Sequence, residues 1–145
     1  MPEGWAGWIF GNILLPVAAP VVLVSLVRTF ADAARQRDLS PLLLVKDGQI
    51  SWAALLFASS AVYEREVALT QFGSHSSGIV LALAVLMVVT NAIVPLCGLI
   101  FPVDAPSIGL ELRAWMAHYK LLLSSVVFAA ISAACYTVVH FGLFQ

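Results

Sequence analysis

Charge is what this sequence has least of. Its 145 residues include seven Lys and Arg and eight Asp and Glu, 10% of the chain, whereas apolar residues make up 61%. An ordinary soluble domain carries about 25% charged and about 45–50% apolar residues. A soluble fold needs charge to cover its surface, so the deficit points that surface toward lipid. The net charge of −1 supplies no field for a polyanion, and no basic stretch reads as a nucleic-acid contact. Direct binding of nucleic acid is not expected.

Cysteine and catalytic motifs are also scarce. Cys97 and Cys135 are the two cysteines, and they lack CxxC spacing. On the topology argued below, their depths differ by roughly 10–15 Å at the helical rise per residue, too far for a disulfide. That argues against a quinone-linked disulfide oxidoreductase, which needs pairs of cysteines. No Gly-rich phosphate loop, HExxH or GxSxG occurs. Ser74, Ser76 and Ser77 flank His75, but a serine nucleophile needs a base and an orienting acid in defined geometry. The chain therefore reads as non-enzymatic, with no catalytic residue, metal or cofactor.

Long apolar runs are abundant. About 20 apolar residues suffice for a helix to cross the hydrocarbon of a bilayer. Positions 4–27, 67–103 and 121–145 contain no Asp, Glu, Lys or Arg. Positions 48–63 form a shorter run that extends past Glu64 to Leu69. The expectation is an all-α integral membrane protein, one domain over residues 1–145 with four transmembrane helices at about 5–27, 49–69, 78–101 and 120–143. The first run begins with Glu3 rather than a basic cluster, and Ala18-Ala19 is followed by Pro20. It reads as a retained helix, not a cleaved signal.

Lys and Arg set the orientation. Arg28, Arg35, Arg37 and Lys46 lie in the first loop, Arg113 and Lys120 in the third, and Arg65 alone in the second. Loops one and three are expected in the cytoplasm and both termini outside (N-out/C-out), in the periplasm of a bacterial inner membrane. A second span that stopped short of the outer surface would invert the later orientations.

Both cytoplasmic loops carry helical patterns. The first helix is expected to continue through about 28–46, ending at Ser40-Pro41 because a residue before proline avoids the helical region. Leu42 to Val45 suit the interface, and Asp47 suits the N-cap of span two. In the third loop Pro102 and Pro106 break any helix and Ser107 can cap a new one over about 107–119. Ile108, Leu112, Trp115, Met116 and Tyr119 recur there at helical spacing. This segment reads as an interfacial anchor with Trp115 and Tyr119 at headgroup depth. Alternatively, Arg28, Arg35, Arg37, Lys46, Arg113 and Trp115 form a face for a cytoplasmic protein partner.

Polar residues inside the spans are the remaining candidates. Asn12 precedes Pro16 by four positions, and Asn91 precedes Pro95 by four. Proline has no N–H, so the carbonyls of Asn12 and Asn91 lose their helical partners and both helices are expected to bend. Pro20 does the same to Pro16. These positions read as interhelical hydrogen bonding, or as a seam lining a pore or small ligand site. Ser125, Ala129, Ala133 and Thr137, each four apart, form a stripe of small residues for packing within the chain or for an oligomer interface; Gly7 with Gly11 and Ala54 with Ala58 repeat the spacing. A homo-oligomer is the expectation. Glu64-Arg65-Glu66 reads as a membrane boundary, with Glu64 as the alternative proton or cation site. His75 and His140 fall on the same side as Glu64, as scattered surface histidines or as members of a metal site or pH sensor.

The functional expectation is a non-enzymatic, oligomeric membrane component. It would act as a sensor, anchor or effector subunit with a separately encoded cytoplasmic partner, in a bacterial anti-phage defence or toxin-immunity system. The alternative is a small oligomeric ion channel or transporter. A membrane enzyme acting on lipid or quinone lacks a nameable catalytic group.

Overall fold

A computed structural model of the chain describes residues 4–32, 41–72, 78–104 and 111–142. The described residues are helical, without strands. We number the helices α1 (Trp5–Phe30), α2 (Pro41–Val45), α3 (Ser51–Phe72), α4 (Gly78–Ile100), α5 (Leu112–His118) and α6 (Lys120–His140). Three of them, α1, α4 over Leu81–Ile100, and α6, are long and apolar enough to cross a membrane, compatible with a multi-pass membrane protein. The fourth long helix, α3, has 22 residues but carries Glu64, Arg65 and Glu66.

A π-helical turn, Phe10–Leu14, precedes the prolines of α1. In it the Leu15 N–H donates to the Phe10 carbonyl five residues back. Pro16, two residues after that turn, cannot donate to Asn12, and the widened turn is where the hydrogen-bond ladder adjusts. α1 ends at Phe30, where Ala31 turns extended with ψ 147°. The expected continuation past Arg28 thus stops after two residues, and positions 33–40 lie outside the described residues.

α3 is the centre of the bundle, with its most extensive contacts to α6 and α4. It turns small residues inward and large ones outward. Ala54, Ala58 and Ala61 are buried beside Phe57, while Trp52, Leu56 and Tyr63 are exposed. Small side chains at these positions let the helix backbones approach closely. α6 buries Leu122, Ser125, Ala129, Ser132 and Tyr136 on one face. Ala53, Phe57, Ala61 and Tyr136 form a core cluster, against which Trp8, Ile13 and Val17 of α1 pack.

One end of the bundle is closed by the turn between α2 and α3. Gly48 takes φ +82°, and a Cβ there would meet Val94 Cγ1 at 2.8 Å. Gly98 of α4 lies so close to Asp47 that a Cβ would overlap its backbone carbonyl. The Asp47 carboxylate accepts the Val103 N–H at 2.8 Å. Lys46 Nζ donates to both Asp47 oxygens and to the Val103 carbonyl. Asp47 is therefore not the N-cap of α3, which starts at Ser51; its side chain binds the segment leaving α4 instead. The clamp needs Lys46, Asp47 and Val103 together, a tertiary relation 56 residues apart in sequence.

At the same end, α5 starts after Glu111 and gives way to α6 at Tyr119. The expected cap Ser107 lies outside the described residues. Tyr119 is 2% exposed, covered by the chain's own side chains. Its ring is held by Trp115 and His118.

Gly98→Ala should cost about 1–3 kcal/mol, as overpacking typically does, and should lower the thermal midpoint of the detergent-solubilised protein. Gly7→Ala, with nothing within 4 Å of its Cβ position, should be neutral or stabilising by about 0.5–1 kcal/mol. Equal effects at the two positions would contradict the packing described here.

Candidate functional site

Polar side chains gather in two places between the helices. The first is Asn91, four residues before the buried Pro95 on α4. Its Nδ2 donates to Ser132 Oγ of α6 at 2.9 Å, and both residues are fully buried. Asn91 Oδ1 and Ser51 Oγ are buried without a hydrogen-bond partner among the described residues. Asn12 behaves differently. It is exposed on α1, and its Nδ2 donates to the Trp8 carbonyl of its own helix at 3.1 Å. The matching Asn–Pro spacings thus have different outcomes, one bridging two helices and one turned back on itself.

The second place lies at the opposite end of the bundle from Asp47 and is built by three helices. Glu64 of α3 faces His140 of α6, whose Nδ1 lies 3.0 and 3.1 Å from the two carboxylate oxygens. Trp8 of α1 stacks on the His140 ring at 4.1 Å between centroids and 16° between planes. Phe141 meets both Trp8 and His140 edge-on. The Tyr136 phenol, one turn before His140, is in hydrogen-bonding reach of Ser60 and Glu64. Successive residues of α3 diverge as helical geometry requires. Glu64 turns to α6, Arg65 is 7% exposed, and Glu66 is outward with its Oε1 3.9 Å from Arg65 Nη1. The Glu64 and His140 side chains are each about a third exposed. No third His, Cys, Asp or Glu joins them among the described residues, and His75 lies outside those residues.

The other sequence candidates sort by location. Ser125 and Ala129 are buried, Ala133 packs on the core cluster, and Thr137 is half-buried with its hydroxyl donated to the Ala133 carbonyl. This stripe faces the chain's own helices. Gly7 and Gly11 face open space. Arg28 and Arg113 are exposed, Trp115 is half-buried, Lys46 is engaged by Asp47, and Arg35 and Arg37 lie outside the described residues. Cys97 and Cys135 are free thiols. Sequence reasoning missed Ser132, Tyr136 and Gly98. Ser132 and Tyr136 fall on a 3–4 spacing through Leu122, Ser125 and Ala129, a signal that a strict four-residue stripe passes over.

A crevice of about 400 Å³ separates the middle of α1 from the start of α3, lined by Pro16, Pro20, Val21, Ile50, Trp52 and Leu56 among others. Trp52 Nε1 donates to Gln49 Oε1 at its edge. No family model, curated protein or solved structure matches the chain.

The Asn91–Ser132 bond should appear in a double-mutant cycle of Asn91→Ala and Ser132→Ala. The expected coupling is about 0.6 kcal/mol and no more than about 1.7, the span found for such bonds in membrane helices. Additive effects on unfolding in bicelles would show that the two side chains do not act as a pair.

Proposed function

We propose that this chain is a non-enzymatic membrane subunit with four crossings, α3 included, that serves as sensor or anchor for a separately encoded cytoplasmic protein. The fourth crossing is supported by the course of α3. It starts beside Gly98 at the Asp47 end and reaches His140 at the other, along the same length as the apolar helices. Its 22 residues rise about 33 Å at the helical increment, enough for the hydrocarbon. Among the described residues, Arg28, Lys46, Arg113 and Lys120 belong to the Asp47 end and Arg65 to the other. The positive-inside rule makes the Asp47 end cytoplasmic and turns both terminal helix ends outward, toward the periplasm of a bacterial inner membrane.

The observation that carries the partner reading is the exposure of α5. Leu112 and Met116, one turn apart, are 75% and 51% exposed beside Arg113. An apolar pair flanked by a cation suits a soluble protein or the headgroup layer. Bacterial defence and toxin-immunity systems use membrane subunits of this kind. A second reading, a channel or transporter formed by a homo-oligomer, draws on the unpartnered Asn91 Oδ1. Against it, the crevice beside α1 is lined mainly by apolar side chains.

Single cysteines at Gln49 and Glu66, in a Cys97→Ala/Cys135→Ala chain, test the crossing. An impermeant maleimide on intact cells should label position 66 and spare position 49; labelling of both or neither would remove α3 as a crossing. For the partner, affinity capture from the native host should recover a neighbouring gene product, and Arg113→Glu with Met116→Glu should reduce recovery at least about tenfold, the effect of losing a few interface hot spots. Flux of ions in liposomes of the purified chain, abolished by Asn91→Leu, would replace the anchor with the channel.

A further inference from the structure

α1 is the least integrated of the long helices. None of its described residues is buried. Asn12, Ser25 and Thr29 spend their side-chain donors on carbonyls of α1 itself. Trp8, Ile13 and Val17 pack on the core, and the crevice toward α3 opens along Pro16, Pro20 and Val21. Ring contacts join α1 to the end of α6: Trp8 stacks on His140 and also meets Tyr136 and Phe141, and Trp5 meets Phe141. His140, the one titratable ring in parallel stacking with Trp8, is held in place by Glu64.

We propose that Glu64 and His140 form a proton-binding site that latches α1 to α3 and α6 through Trp8. The latch is strongest when the pair holds one proton. The imidazolium then has a carboxylate at its Nδ1 and the indole face against its plane, so an ion pair and a cation–π contact act on the same ring. Loss of that proton leaves a neutral ring on Trp8 and an unneutralised carboxylate, with the Tyr136 phenol as donor. Gain of a second proton neutralises Glu64 and leaves an imidazolium without its counter-ion. The hold on α1 therefore falls on both sides of a pH window. Around the pair, α3 also presents Arg65, buried, and Glu66, outward, and α6 presents Tyr136; α1 presents Trp5 and Trp8 and no ionisable group. The inference goes beyond the anchor reading and does not depend on a partner.

The test uses the full chain in nanodiscs, with Trp5, Trp52 and Trp115 changed to Phe so that Trp8 alone emits. Spin labels at Val22→Cys and Ile131→Cys, with Cys97 and Cys135 changed to Ala, report the distance between α1 and α6. Both signals are followed over roughly pH 4 to 9, where carboxylates and imidazoles ordinarily titrate. Trp8 emission and the α1–α6 distance should change together in an acidic and a basic arm. Glu64→Gln should abolish the acidic arm and leave the basic one, and His140→Gln, which removes the ring that Trp8 stacks on, should abolish both. Both variants keep size and polarity, so at least one folded variant suffices to assign an arm. A flat profile in the parent, an emission change without a distance change, or the parent's two-armed profile surviving in either variant would overturn the latch.

Discussion

Close approach of backbones around α3 is the constraint on which the rest of the structure depends. Ala54, Ala58 and Ala61 leave room for α4 and α6 to pack against α3, and Gly98 lets the turn at Asp47 touch α4 directly. Helices this near can share short polar side chains, which have little reach. Asn91 and Ser132 bond at 2.9 Å only because no large residue intervenes. The proximity thus comes first, and the buried polar pair is a consequence that then fixes rotation of α4 against α6. A larger residue at any of these positions would act on the polar pair through helix spacing before it acted on the bond itself.

The two ends of the bundle are closed by different chemistry. At the Asp47 end the contacts are to backbone: a carboxylate on the Val103 N–H, an ammonium on the Val103 carbonyl, and a glycine with positive φ seated on α4. Lys46 and Asp47 neutralise each other within this clamp, and their side chains are mostly shielded, so salt weakens them little. At the Glu64 end the contacts are between side chains whose charge depends on a proton. The first arrangement ties side chains to backbone, whereas the second ties side chains to one another.

Much of the architecture is legible in the sequence, and the parts that are not share a cause. Apolar run length marks α1, α4 and α6 because hydrophobicity is a local property of the chain. Pro16 marks an irregularity in α1 because a missing N–H is local too, although the π-turn that absorbs it is visible only in the backbone. α3 is harder to read. Its inward face is mostly alanine, with Phe57, and its outward face carries Trp52, Leu56 and Tyr63, so apolar periodicity carries little information about which side is buried. Ser132 and the clamp role of Asp47 depend on residues 41 and 56 positions away. Nothing in the spacing of Glu64 and His140 predicts their meeting, since they are 76 residues apart on different helices; only the shared end of the bundle, inferred from topology, places both within reach.

The asymmetry between the ends bears on which helix can move. α4 and α6 are tied to α3 by small-residue packing and to each other by the Asn91–Ser132 bond, so the three helices hold one another through close contacts and a buried polar pair. α1 has neither kind of tie. Its inner half borders a crevice, and its contact with the bundle is concentrated near Trp8, Ile13 and Val17. A change of charge at Glu64 or His140 therefore bears on the helix with least packing to lose. In the proposed four-crossing arrangement that helix also ends just past Arg28 on the cytoplasmic side, the face where a partner would dock. A displacement started at Trp8 would travel about 30 Å along α1 to reach Arg28 at the helical rise, through the π-turn at Phe10–Leu14.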